Sequence, residues 1–254
     1  MRGTRWRLLG VGLGISALLG SVVLAVLADD PKPEVKPDAK AAAKAAEEMP
    51  AKVAELEART SKHVAEKADV ALGDDIQAAV SLSRQASDAR LRARLVRLLG
   101  AILAAGPRQS GVDQAAIRGL GAMGDPAGFV FVRAFLVLPD FHMNPPLLID
   151  AIEAASKMRS DDSVSSLLLL VQKSAVEPVA VAAVKAFSTF GQNKMTREKI
   201  LASLVDVLRL GMARPLSGPI VETLNKMTGR EIAGADGWID LVRRFRDHPA
   251  DLFN

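Results

Sequence analysis

Cysteine is absent from all 254 residues, and so is tyrosine. The first absence excludes a disulfide framework, an iron–sulfur site, a thiol nucleophile, a Cys-ligated zinc and a lipidated N-terminal cysteine. Aromatic residues make up only 4% of the chain, which is poor equipment for stacking nucleic-acid bases. Histidine is scarce too. His63, His142 and His248 never share a helical turn, and no HExxH occurs to hold a metal. His142, in PDFHMNPP beside Asp140, reads as a turn residue. No serine stands in a GxSxG or SxxK setting. The expectation is a protein that is not an enzyme, with no catalytic residues, no cofactor, no metal and no nucleic-acid partner.

What is present suits a folded chain. Hydrophobic residues are 49% and charged residues 24%, enough for a core in one or two domains. The net charge of +4 is concentrated at the start, where Arg2, Arg5 and Arg7 precede any acid. Subtracting those three leaves +1 for the rest. The body is near neutral, so bulk charge favours neither nucleic acid nor a membrane surface.

Residues Leu8 to Ala28 carry no charge. A basic start, an apolar stretch and small residues at its end form the signal-peptide pattern, with Val26 and Ala28 placed for cleavage before Asp29. The alternative for 1–28 is a retained anchor, since about 20 apolar residues just span a bilayer core of ~30 Å. Both place the remainder outside the cytoplasm, in the periplasm or cell envelope or secreted. Membrane contact is expected only through this segment, if it is uncleaved.

Residues 29–50 begin DDPKPEVKPD, an extended and solvated linker that becomes rich in Ala, Lys and Glu. Pro50 is expected to interrupt any helix begun upstream. A helical stalk follows over 51–72. A heptad runs through Met49, Val53, Leu56, Thr60, His63, Lys67 and Val70. Three of these are polar, which favours a solvated stalk over a coiled coil.

From 73 to 230 the chain reads as packed helices. Asp88, Asp125-Pro126, Asn144-Pro145, Glu177-Pro178 and Thr196 mark helix starts. The run AGFVFVRAFLVL (127–138) is β-branched and aromatic, yet its helical flanks decide for helix. The helices recur. Ala116-Ile117, Ala151-Ile152, Ala183-Val184 and Ile220-Val221 occupy equivalent places, with steps of 35, 32 and 37 residues from one aliphatic residue to the next. That is the period of an antiparallel helix pair, and stacked pairs bury a shared core. The expected fold is an all-α, right-handed α-solenoid of four to five pairs, with 231–254 as a capping helix and tail.

The phrases AAIRGLGAMGDPAGFVFVRAFL and PVAVAAVKAFSTFGQNKMTREKILASLVDVL resemble short-period HEAT repeats over roughly 74–230. Tetratricopeptide repeats share the period, but their Trp, Tyr and turn-proline pattern is missing. The ending LNKMTGREIAGADGWIDLVRRF resembles that of exported HEAT-repeat proteins of planctomycete-like bacteria. Read from its residues, it is a cap: Trp238 closes the last apolar layer while Arg243, Arg244 and Arg246 face water. HEAT-fold hydroxylases carry His-Glu dyads that this chain lacks.

Two motifs have plain structural readings. GLGAMG (Gly119, Gly121, Gly124) spells a dinucleotide fingerprint but follows a helix, so its glycines are expected to admit neighbouring helices and then end their own. Asp74-Asp75 and Asp161-Asp162 are expected at helix starts, complementing the helix dipole.

Seven arginines fall close together: Arg84, Arg90, Arg92, Arg94, Arg97, Arg108 and Arg118. Arg90, Arg94 and Arg97 share one face of a helix. They are expected either to grip an acidic partner or to pair with Glu55, Glu57 and Glu66 of the stalk. The second helices of the pairs, near 112–122, 145–158, 178–190 and 217–227, are the expected inner layer. The candidate partner-binding residues are Arg90, Arg94, Arg97, Arg118, Glu153, Lys157, Lys185 and Lys226. The expected role is a non-catalytic scaffold of the bacterial cell envelope that binds a protein or peptide through the solenoid surface. The alternatives are a HEAT-like enzyme of lyase type, its site assembled from distant residues, and a purely structural envelope spacer.

Overall fold

The computed structural model describes residues 39–106, 111–138, 144–190, 193–210 and 215–245, and all regular structure among them is helical. The chain's contacts divide it into Met1–Ala39 and Lys40–Asn254, and the packed helices belong to the second unit. The expected leader, the linker residues before 39, Arg108, His142, Arg246 and His248 all lie outside the described residues. No helix among the described residues is long and apolar enough to cross a membrane.

Eleven α-helices follow one another among the described residues: α1 (Ala39–Glu66), α2 (Asp69–Gln85), α3 (Ala89–Ala104), α4 (Val112–Met123), α5 (Phe129–Val137), α6 (Pro145–Met158), α7 (Asp161–Lys173), α8 (Glu177–Ala186), α9 (Lys194–Arg209), α10 (Ser217–Thr228) and α11 (Gly234–Arg244). Short 3-10 turns precede α5 and follow α8.

Local chemistry explains many of the ends. Asp88 accepts a hydrogen bond from the Arg90 N–H at 2.7 Å, and Asn144 accepts one from Leu147 with prolines in the first turn behind it. Asn193, rather than Thr196, caps α9 by accepting from the N–H groups of Met195 and Thr196. Gly124 and Gly229 take left-handed backbone (φ +65° and +68°) and close α4 and α10. The β-branched run at 129–137 is helical because Phe129, Val132, Phe135 and Leu136 point into the core at helical spacing.

Pro50 does not end a helix; it lies inside α1. A proline there forfeits one backbone bond and costs roughly 3 kcal/mol in a helix interior. Strong helix formers on both sides and the burial of Met49, Val53 and Leu56 offset that cost. The first four positions of the heptad seam are therefore not solvated, whereas Lys67 and Val70 at its end are exposed. Met49, Val53, Leu56 and Thr60 are buried, and the three apolar ones join the same core as α2 and α3. The break after α1 comes at Lys67, which adopts left-handed backbone at φ 54°.

Packing follows chain order. α2, α4, α6, α8 and α10 each pack on the next, and so do α3, α5, α7, α9 and α11. Helices adjacent in the chain close the space between these two rows, as α3 does on α4 and α7 on α8. Polar ties join successive members. Arg118 and Gln114 of α4 donate to Asp150 of α6 at 2.8 and 3.1 Å. Thr189, after α8, donates to the Ser156 carbonyl of α6. Thr223 of α10 donates to the Val184 carbonyl of α8. With repeat steps of 35, 32 and 37 residues, each tie joins positions within three residues of equivalence, so α4, α6, α8 and α10 run parallel and in register. The arrangement is all-helical and compatible with a helical repeat.

The last described helix is held by Asn225. Its side-chain oxygen accepts from the Trp238 indole N–H (3.0 Å) and from the Ile232 N–H, and its amide donates to the Ile232 carbonyl. Trp238 is fully buried, while Arg243 and Arg244 are exposed. The Asn–x–x–Thr–Gly phrase thus works as a clamp for α11.

Candidate interaction surface

The arginine cluster is divided between faces. Arg90, Arg92 and Arg97 are exposed on α3, and Arg84 is exposed near the end of α2. Arg94 is half-buried and turned onto α1, where Nε and Nη2 meet the two oxygens of Glu57 at 3.0 and 2.5 Å. That bidentate bond holds the Arg94 guanidinium above its ordinary pKa. Of the stalk acids weighed against this cluster, Glu57 makes the pair. Arg94 therefore fastens a helix, and the strip Arg90–Arg94–Arg97 is interrupted at its centre.

Arg118 belongs to the other row. It shares a surface with Glu153 and Lys157 on α6, Lys185 on α8 and Lys226 on α10, all exposed or partly so. The steps read in the sequence account for the placement. Counting 35, 32 and 37 residues from Arg118 gives Glu153, Lys185 and Glu222. Four equivalent positions thus carry charges of alternating sign. Glu222 is the member that sequence reading missed, although the repeat step from Lys185 leads to it. Neighbours along this line sense one another. The Asp150 carboxylate, with Glu153 adding to the field, raises the Arg118 pKa. The Lys226 ammonium, 2.7 Å away, lowers the Glu222 pKa, and Lys185 lowers it further. Beside the line lie the half-buried aliphatic residues Ile149, Val181 and Val221.

Other sequence features resolve into packing. A Cβ on Gly121 would sit 2.8 Å from Ala154 Cα, and one on Gly119 would sit 2.9 Å from Leu99. These glycines let α4 approach its neighbours, and Gly124 ends the helix. Asp161 does stand at the start of α7, accepting from Asn193 and Thr196 at the start of α9. Asp75 does not stand at a helix start. It lies within α2, 1% exposed, with Arg59 Nε and His63 Nδ1 each 2.7 Å from its oxygens. Asp75 anchors α1.

A cavity of about 520 Å³ opens where α7 turns into α8, beside the end of α9. Val171, Ala180 and Leu216 form an apolar floor, and Lys173, Glu177 and Asp206 stand at the rim. Ser174, which also lines it, is engaged with the backbone of Val176. Among the described residues, no group of three or more His, Asp or Glu side chains is placed to hold a metal ion. No protein-family model, no curated protein and no solved structure matches this chain.

Proposed function

We propose that the chain is a HEAT-like α-solenoid of five helix pairs, α1–α2 to α9–α10, closed by α11, and that it serves as a non-catalytic scaffold of the bacterial cell envelope. The outward face of α4, α6, α8 and α10 binds a protein partner by shape and charge. The observation that carries the reading is the line Arg118, Glu153, Lys185, Glu222. One position of the repeat is charged and exposed on four alternate helices, while its neighbours in the repeat are small or aliphatic. Repetition of an exposed position gives an extended surface with regular spacing, which is how stacked repeats bind. The envelope location is proposed from the charge-free segment Leu8–Ala28 behind three arginines.

Site-specific photocrosslinking in intact cells tests it. A photoreactive residue replaces Lys157 on this face, or Arg133 on the exposed side of α5 as the control. A discrete protein adduct from position 157 that is absent from position 133 is the expected result. Identical patterns from both positions, or none from 157 when crosslinking of a known envelope pair succeeds, would overturn the reading.

A further inference from the structure

We infer that the partner for this face is a second copy of the chain, paired antiparallel about a two-fold axis that runs parallel to the helices between α6 and α8. The inference rests on the reading of this face as a docking surface and names its occupant.

A face that meets its own copy must be complementary to itself after the two-fold operation. The order along the line is Arg118, Glu153, Lys185, Glu222: plus, minus, plus, minus. Reversing it gives minus, plus, minus, plus. Under the proposed axis Glu153 faces Lys185 of the second copy, and Arg118 faces its Glu222. Each contact occurs twice, so four opposite-charge pairs form. An order such as plus, plus, minus, plus would not do this.

The flanking positions agree. One turn earlier the equivalent residues are Gln114, Ile149, Val181 and Gly218. The same axis sets Ile149 against Val181, apolar on apolar, at the centre of the pairing. One turn later Lys157 faces Thr189 and Lys226 faces Ala122. None of these three lines brings like charges together. A parallel arrangement would set Arg118 against Arg118 and Glu153 against Glu153, which opposes it.

The side chains have capacity left for such contacts. Arg118 gives Nε to Asp150, its side chain remains 65% exposed, and its terminal nitrogens can still donate. Among the described residues neither the Glu153 carboxylate nor the Lys185 ammonium makes a hydrogen bond. The central pair is therefore the one least used within a single copy.

Sedimentation of the full-length protein in mild non-ionic detergent tests the pairing. The wild type is expected to dimerise, and more weakly as salt rises. Glu153→Lys and Lys185→Glu each create two like-charge contacts and are expected to weaken self-association by about ten-fold or more. Mixing the two single variants restores opposite charge at both central contacts, and so does combining both changes in one chain. Both sites are exposed, and thermal melts confirm that each variant folds. Wild type that stays monomeric, or a dimer that the reversals leave unchanged, overturns the inference. If the wild type is monomeric while position 157 still crosslinks to a different protein, the docking face stands and the self-pairing falls. If neither occurs, both fall.

Discussion

Asp75 is a carboxylate with 1% exposure, held by two side chains that both come from α1. Burying a charge is tolerable when its lone pairs are satisfied and costly when they are not. The partners differ in this respect: the Arg59 side chain is 46% exposed and can turn to water, whereas Asp75 cannot. Removing both partners, Arg59→Ala with His63→Ala, is expected to cost about 3 kcal/mol or more. Adding Asp75→Leu to that pair is expected to recover a large part of the loss, because it removes the orphaned charge and adds apolar contact. Urea unfolding of the double and triple variants measures the difference. A triple variant no more stable than the double would mean that α1 packing, not Asp75, carries the cost. The sequence shows Asp75 and its neighbour Asp74 but not what they meet. Arg94 and Glu57 are 37 residues apart, and Arg118 and Asp150 are 32 apart. Such pairings depend on how helices stack, which single-residue chemistry does not specify.

At the scale of an element, the same residue type has opposite expected effects according to what surrounds it. Gly121 sits where α4 touches α6, and a Cβ there meets backbone at 2.8 Å. Backbone cannot swing aside, so Gly121→Ala is expected to force the helices apart and cost roughly 1–3 kcal/mol. Gly73 lies inside α2 with nothing within 4 Å of its added Cβ. There Gly73→Ala gains helix propensity and restricts the unfolded chain, so it is expected to stabilise by about 0.5–1 kcal/mol. Thermal denaturation of the two variants gives the signs directly, and a stabilising Gly121→Ala would mean that the contact between α4 and α6 is looser than 2.8 Å implies. Capping chemistry is local, and for that reason Asp88 and Asn144 are legible as helix starts in the sequence. Pro50 is not legible in the same way. Its local cost points to a break, and only the burial of Met49, Val53 and Leu56 against helices further along the chain reverses the outcome.

Among the described residues the helices are ordered by neighbours, their main contacts joining helices no more than two apart in the chain. The steps of 35, 32 and 37 residues are legible in sequence because contacts between neighbouring helices leave a local pattern. The alternating charge line follows from the same steps, but that its members are exposed on one side of four separate helices is seen only in the structure. A stack held by neighbour contacts need not unfold all at once. Trp238 lies in α11, fully buried and bonded to Asn225, so its fluorescence reports the packing of α10 and α11. The other tryptophan is Trp6, and Trp6→Phe leaves Trp238 as the single emitter in the full-length chain. On that background, Arg59→Ala with His63→Ala loosens α1 and α2 at the opposite end of the helical order. The loss of about 3 kcal/mol expected there corresponds to a fall of roughly 1 M or more in the local urea midpoint. Far-UV circular dichroism, which averages all the helices, is expected to show an early phase, while Trp238 emission keeps nearly its original midpoint. Coincident shifts of the two probes would instead mean that coupling between neighbouring repeats exceeds the stability of any one of them. The row from α2 to α10 would then act as a single rigid unit, and a partner bound at α4 would be felt at α10.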